Sequence, residues 1–157
     1  MIEIERKFRV KNTTFLNNIK ASFKITQGYL NSDKYRTVRV RTKGDYGFIT
    51  IKGVSSENGT SRFEWEKEIS LEDALQLLPL CEEFIIEKTR YIVPFGEVVF
   101  EVDVFEGYNQ GLIIAEVELS HENQTFEKPS WLGDELTGDE RFYNSFLSKH
   151  PTSTWEK

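Results

Sequence analysis

Charged and apolar residues alternate one for one in segment after segment of this chain. That period of two is its tightest constraint, because only an extended strand places residues two apart on one face. Glu3, Glu5 and Lys7 share a face, with Ile4 and Phe8 on the other. Arg39 and Arg41 alternate with Val38 and Val40, and Lys52 keeps register with Thr50. Arg62, Glu64, Glu66 and Glu68 oppose Phe63 and Trp65, while Lys88 and Arg90 alternate with Thr89 and Tyr91. Glu101 and Asp103 alternate with Val102 and Val104, and Glu116 and Glu118 with Ala115, Val117 and Leu119. A half-exposed sheet presents mixed Ser, Thr, Gln and Lys to water, whereas here the charges are sorted by sign and by strand. Such sorting points to convergence on one ligand. Arg39, Arg41, Lys52, Lys88 and Arg90 would surround a strongly anionic partner, and the Glu pairs, as hard oxygen donors, would hold its divalent cation.

Turn chemistry divides the chain into about eight strands. After the first strand, Asn12 or Thr13 is expected to cap a short helix bearing Phe15, Leu16, Ile19 and Phe23. Strands are expected over residues 25–30, 35–43, 46–52 and 62–69, joined by Gly44-Asp45 and by the Asn58-Gly59 loop. Ser70 opens a helix with Leu71, Ala74, Leu75 and Leu78, ended by Pro79. An antiparallel meander follows over residues 85–93, 98–105 and 112–119. Thr137-Gly138-Asp139-Glu140 matches a capping box, which predicts a last helix over about residues 138–149 with Phe142, Phe146 and Leu147 as its apolar stripe. Trp65, opposite Glu64 and Glu66, is expected to pack outside the sheet under a helix. The fold class is α+β: a closed or nearly closed eight-stranded antiparallel barrel with a charged lumen and helices packed outside.

Composition narrows the function. At 157 residues the chain is expected to be one domain, residues 1–157. Its formal net charge of −6 argues against nucleic-acid polymers and anionic membrane surfaces as partners, so any anion site must be local and enclosed. One cysteine, Cys81, excludes an intramolecular disulfide framework and fits a reducing cytoplasm. No secretory leader or membrane span is read, and an outer-membrane barrel would turn Arg6, Lys67 and Glu87 toward lipid.

Glu3-x-Glu5-x-Lys7 resembles the signature of the CYTH superfamily, the triphosphate tunnel metalloenzymes. The resemblance runs on through Arg39-x-Arg41, Thr50-x-Lys52, Arg62-x-Glu64-x-Glu66, Lys88-x-Arg90, Asp103 and Glu116-x-Glu118. The stretch from Trp131 to Ser145 is similar to the small bacterial branch, whose members resemble inorganic triphosphatases. The resemblance implies Mg²⁺- or Mn²⁺-dependent hydrolysis of inorganic triphosphate to pyrophosphate and phosphate, with weaker action on nucleoside triphosphates, and it allows a homodimer. It implies Glu3, Glu5, Glu116 and Glu118 as metal ligands, with Glu64, Glu66 and Asp103 as further members of the acidic set. Lys7, Arg39, Arg41, Lys52, Arg62, Lys88 and Arg90 would hold phosphate oxygens. Lys7 and Lys52 are the candidate catalytic cations, Lys52 with a pKa lowered by its neighbours and with Tyr29 close enough to share its proton. A class IV adenylyl cyclase, a thiamine triphosphatase and a noncatalytic polyphosphate- or nucleotide-binding module are the alternatives.

Overall fold

The computed structural model describes residues 2–82 and 84–155. The expected strands are present as β1 (Ile2–Val10), β2 (Ala21–Asn31), β3 (Arg36–Lys43), β4 (Tyr46–Ser55), β5 (Ser61–Ile69), β6 (Ile86–Phe95), β7 (Val98–Phe105) and β8 (Ile113–Glu118). They pair antiparallel in the order β5-β4-β3-β2-β6-β7-β8-β1, and β1 returns to β5, so the sheet closes into a barrel. Alternation had no power to announce a short ninth strand, β9 (Leu132–Glu135). One edge of β1 carries β8 along Glu5–Arg9. The other edge is divided: Ile2–Ile4 pair with residues 61–63 of β5, and Phe8 and Val10 pair with β9.

The apolar residues of the alternation face outward and are covered on two sides. Phe8, Phe100, Val102, Ala115 and Val117 form one core, closed over by Phe15 and Trp131. On the opposite side helix α1 (Leu71–Leu77) lies over β3 and β4, with Ala74 and Leu78 against Val40. The hydroxyl of Ser70 caps α1 by accepting from Asp73 N at 3.0 Å. Helix and strand approach so closely at Gly47 that an added Cβ would lie 2.8 Å from the Ala74 methyl. Pro79 falls in a 3-10 turn, Leu78–Leu80, that ends the helix as expected.

Three expectations need correction. The helix after β1 is a single 3-10 turn, Thr14–Asn18, and Phe23 belongs to β2, because pairing with β6 begins already at Ala21. Trp65 is 42% exposed instead of buried under a helix. The long terminal helix is replaced by a 3-10 turn, Glu140–Phe142, and the four-residue α2 (Asn144–Leu147). Asp139, not Thr137, caps that turn, accepting from Arg141 N at 3.1 Å. Thr137 instead accepts from the Lys7 backbone N–H at 2.9 Å.

The terminal segment also does not pack outside. Phe142 and Leu147 are fully buried against Ile86, Phe105 and Ile114, which share the inward faces of β6, β7 and β8 with Lys88, Asp103 and Glu116. Residues 140–147 therefore fill one end of the barrel. Among the described residues no helix is long and apolar enough to cross a membrane.

Candidate active site

The inward faces enclose a cavity of about 240 Å³ lined by charged and polar residues, with the charges in the majority. Strand β3 supplies a cationic wall from Arg39, Arg41 and Lys43, and β6 adds Lys88 and Arg90. Facing them stand Glu3, Glu5 and Lys7 on β1 and Glu116 and Glu118 on β8. The register explains the convergence: Glu5 lies opposite Glu118, Lys7 opposite Glu116, and Glu116 in turn opposite Glu101. Of the sequence candidates, Tyr29, Lys52, Arg62 and Glu64 also reach the cavity wall.

The acids are held in unlike states. Burial pushes Glu5 well above the ordinary carboxylate range, and the charge of Glu116 adds to the push. Burial acts on Glu116 as well, but Lys7, a hydrogen bond from Glu5, and Arg90 hold it below that range. The two carboxyls are thus hydrogen-bonded to each other, with Glu5 the one more easily protonated. Burial raises Glu64 to about 7, helped by its hydrogen bond with Glu3. Burial acts on Glu3 too, yet Lys52 and Glu64 outweigh it and leave Glu3 lowered. Glu118 is raised by burial and by the charges of Glu3 and Glu101.

Two members of the expected acidic set serve the cations instead. Asp103 is 2% exposed and lies behind the cavity wall. It accepts from Arg90 Nε and Nη2 at 2.8 and 2.9 Å, and lies 2.8 Å from Lys88 Nζ. Glu66 accepts from Thr50 Oγ1 at 2.7 Å and faces Arg41 and Arg39 at 3.3 and 3.5 Å. Both carboxylates are better described as supports of the anion-binding wall than as free cation ligands.

The cations, by contrast, keep unused donors. The Nε atoms of Arg39 and Arg41 are buried without a hydrogen-bond partner, a costly arrangement that incoming oxygens would relieve. Burial, with Arg39 and Arg90 alongside, lowers Arg41 to about 10, as expected where positive charges are packed together ahead of an anion. Burial lowers Lys88 to about 8, with Arg90 contributing and Asp103 opposing.

Lys52 departs from its expected state. Burial lowers its pKa, but Glu5 and Glu3 outweigh burial and raise it, and Nζ donates to Glu3 Oε1 at 2.9 Å. No hydrogen bond joins Lys52 to Tyr29 among the described residues, so the expected proton-sharing pair is not formed. Lys52 is a stable cation here.

Alternation could not reveal the far wall, which the terminal segment makes. Lys7 Nζ donates to the Phe142 carbonyl at 3.0 Å, and Asn144 Oδ1 accepts from Lys88 Nζ and Gln27 Nε2, each at 3.0 Å. Tyr143 OH lies 3.2 Å from Ser55 Oγ, and the Lys7 ammonium sits 5.3 Å from the Tyr143 ring centroid. A backbone carbonyl carries no sequence signal, and Asn144 sits in a stretch whose local pattern reads as helix.

The donor set suits a hard divalent cation, with four carboxylates from β1 and β8 on the cavity wall. Among the described residues no three His, Cys, Asp or Glu already stand grouped as ligands; Glu3 accepts from Lys52 and Glu5 is hydrogen-bonded to Glu116.

A closed antiparallel tunnel with a cationic wall and an opposed acidic cluster defines a protein that encloses a small polyanion. Comparison with known proteins makes the class specific. The chain belongs to the CYTH domain family, which matches residues 1–151. It is 45% identical over 156 residues to an inorganic triphosphatase of Acetivibrio thermocellus, covering 99% of this chain and 98% of that protein. It is 39% identical over 153 residues to an inorganic triphosphatase of Nitrosomonas europaea, covering 94% and 97%. A crystal structure of an inorganic triphosphatase superimposes with a TM-score of 0.67 at 34% identity over 93% of each chain.

Proposed function

We propose that this chain hydrolyses inorganic triphosphate to pyrophosphate and phosphate with a divalent cation, Mg²⁺ or Mn²⁺, and that nucleoside triphosphates are weaker substrates. The observation that carries the reading is the opposition of orphaned, buried arginine donors on β3 to the carboxylates of Glu3, Glu5, Glu116 and Glu118 across one cavity. The relatives' activity agrees with it. The working unit is residues 1–157 as a single cytoplasmic domain, and a homodimer is compatible with it.

In this reading Arg39, Arg41, Arg62, Lys88 and Arg90 hold the phosphate oxygens, the arginines by paired N–H contacts. Lys7 and Lys52, both at the junction of the cationic and acidic walls, neutralise charge on the scissile and leaving oxygens. Glu3, Glu5, Glu116 and Glu118 would hold the cation, which when bound neutralises phosphate charge and acidifies water. Glu118 is suited to accept the proton of the attacking water, since its carboxyl is raised while Glu116 is kept strongly ionised. Tyr29 lines the cavity as a positioning contact.

The test is release of phosphate from inorganic triphosphate, ATP and thiamine triphosphate with Mg²⁺ or Mn²⁺. Fastest cation-dependent turnover of inorganic triphosphate supports the proposal. Cyclic nucleotide from ATP, preference for thiamine triphosphate, or binding without turnover would each replace it with the corresponding alternative.

A further inference from the structure

The side-chain amide of Asn144 is fixed by donors at its oxygen and idle at its nitrogen. Oδ1 accepts from Lys88 Nζ and from Gln27 Nε2, each at 3.0 Å. An amide oxygen has two lone pairs, so both are taken. An ammonium can only donate, which sets the oxygen of Asn144 toward Lys88 and turns Nδ2 away from it. Among the described residues Nδ2 makes no hydrogen bond, and it is not sealed from solvent as the orphan Gln27 Oε1 is. Asn144 lines the same cavity as Lys88 and Arg90, so the idle N–H₂ opens on the space an anion would occupy.

Gln27 holds this orientation against a cost. It is 0% exposed, opposite Arg41 on β3 and Ile86 on β6, and its Oε1 has no hydrogen-bond partner among the described residues. A buried amide oxygen left unpaired is destabilising, and an apolar side chain of similar size would avoid the penalty. The side-chain hydrogen bond that Gln27 does make is its donation to Asn144, which locks the plane of that amide.

We propose that Asn144 is a phosphate-binding residue: its Nδ2 donates to an oxygen of the triphosphate, while Lys88 and Gln27 position the amide. This deepens the triphosphatase reading and rests on it. Arg41, Lys88 and Arg90, each less than a tenth exposed, already crowd positive charge around the cavity. Another cation would be repelled by them, whereas a neutral amide adds a directed hydrogen bond to an anionic oxygen without adding charge.

The experiment measures binding of inorganic triphosphate in chelator, by titration calorimetry, to wild type, Asn144→Ala, Lys88→Met, the double variant of these two, and Gln27→Met. Loss of a hydrogen bond to a charged oxygen should weaken binding by Asn144→Ala about tenfold or more. An amide that served only to hold Lys88 would matter no further once Lys88 is replaced. Direct donation requires a loss of about fivefold or more in the Lys88→Met background as well. Gln27→Met should weaken binding several-fold without lowering the melting temperature, since the orphan oxygen leaves with the donor. In ¹H–¹⁵N spectra of the wild type, the Asn144 side-chain amide protons, assigned by their absence from Asn144→Ala, should shift downfield on saturation with triphosphate. A loss that vanishes in the Lys88→Met background, or amide protons that triphosphate does not move, overturns the donation and leaves the triphosphatase reading standing. Failure of the wild type to bind triphosphate at all overturns that reading and the contact together.

Discussion

Replacing Asp103 by Asn keeps the shape of the side chain and removes its charge, leaving the Lys88 ammonium without its ion-pair partner and the Arg90 guanidinium with only the longer, 3.4 Å contact to the half-exposed Glu101. Asp103 is 2% exposed and Lys88 1%, so water cannot take over. Removing one partner of a buried ion pair costs about 3–5 kcal/mol, because the surviving charge stays desolvated. An unfolding entropy of about 2.1 cal/mol/K per residue over 157 residues is about 0.33 kcal/mol/K, so the melting temperature should fall by about 9–15 °C. The uncompensated cations line the cavity, so an anion can partly replace the lost carboxylate. Melting followed by far-UV circular dichroism, in chelator, with and without saturating pyrophosphate, reads both effects. The gap between variant and wild type should narrow when the anion is present. A fall of less than about 3 °C, or a gap that pyrophosphate leaves unchanged, would refute the view of Asp103 as the counterion of the phosphate-binding wall.

Glu5→Gln mimics the protonated carboxyl that Glu5 already presents to Glu116, so melting in chelator should change by less than about 2 °C while cation-dependent triphosphate turnover drops about 100-fold or more. Lys88 sits at about 8 in the folded chain against 10.5 when unperturbed. Between those values the unfolded chain binds the extra proton, so ligand-free stability should gain from this group as pH rises from about 8 to 10.5. Over the same range pyrophosphate affinity, measured by titration calorimetry, should weaken as Lys88 loses its charge, and Lys88→Met should flatten both trends. Gly59 has φ +78°, and a methyl there would overlap Gly138, which itself has φ +80°. Any side chain at this position is thus opposed by both backbone conformation and space: Gly59→Ala should cost about 1–3 kcal/mol, read as a lower denaturant midpoint.

The barrel wall was legible because closure gives every strand one wet and one greasy face, and a period of two cannot be satisfied by a helix. The same logic brought the β1 and β8 glutamates to one lumen before any pairing was known. Alternation assigns a face but no partner, which is why Asp103 reads as a further member of the acidic set although the adjacent β6 offers it Arg90 directly across the ladder. It also misjudged Lys52, since Glu3 and Glu5 outweigh the cations near it. The terminal segment misled for another reason. Its Thr-x-x-Glu pattern is a local helix signal, but the Lys7 backbone and the open end of the barrel compete for Thr137 and Phe142, and tertiary contacts win over local propensity.

The divided edge of β1 has a consequence for how the molecule is made. Glu3 and Glu5 are made before any of their partners: their strand finds its neighbours in residues 61–63, 114–118 and 132–135, the last two more than a hundred residues further along the chain. Contacts so distant along the chain form slowly, because loop closure must precede their reward. A nascent chain cut short of β8 therefore has no seam and no Glu116 beside Glu5. Cation affinity should arise abruptly once β8 has been made and paired, so that copies lacking it sequester neither metal nor triphosphate.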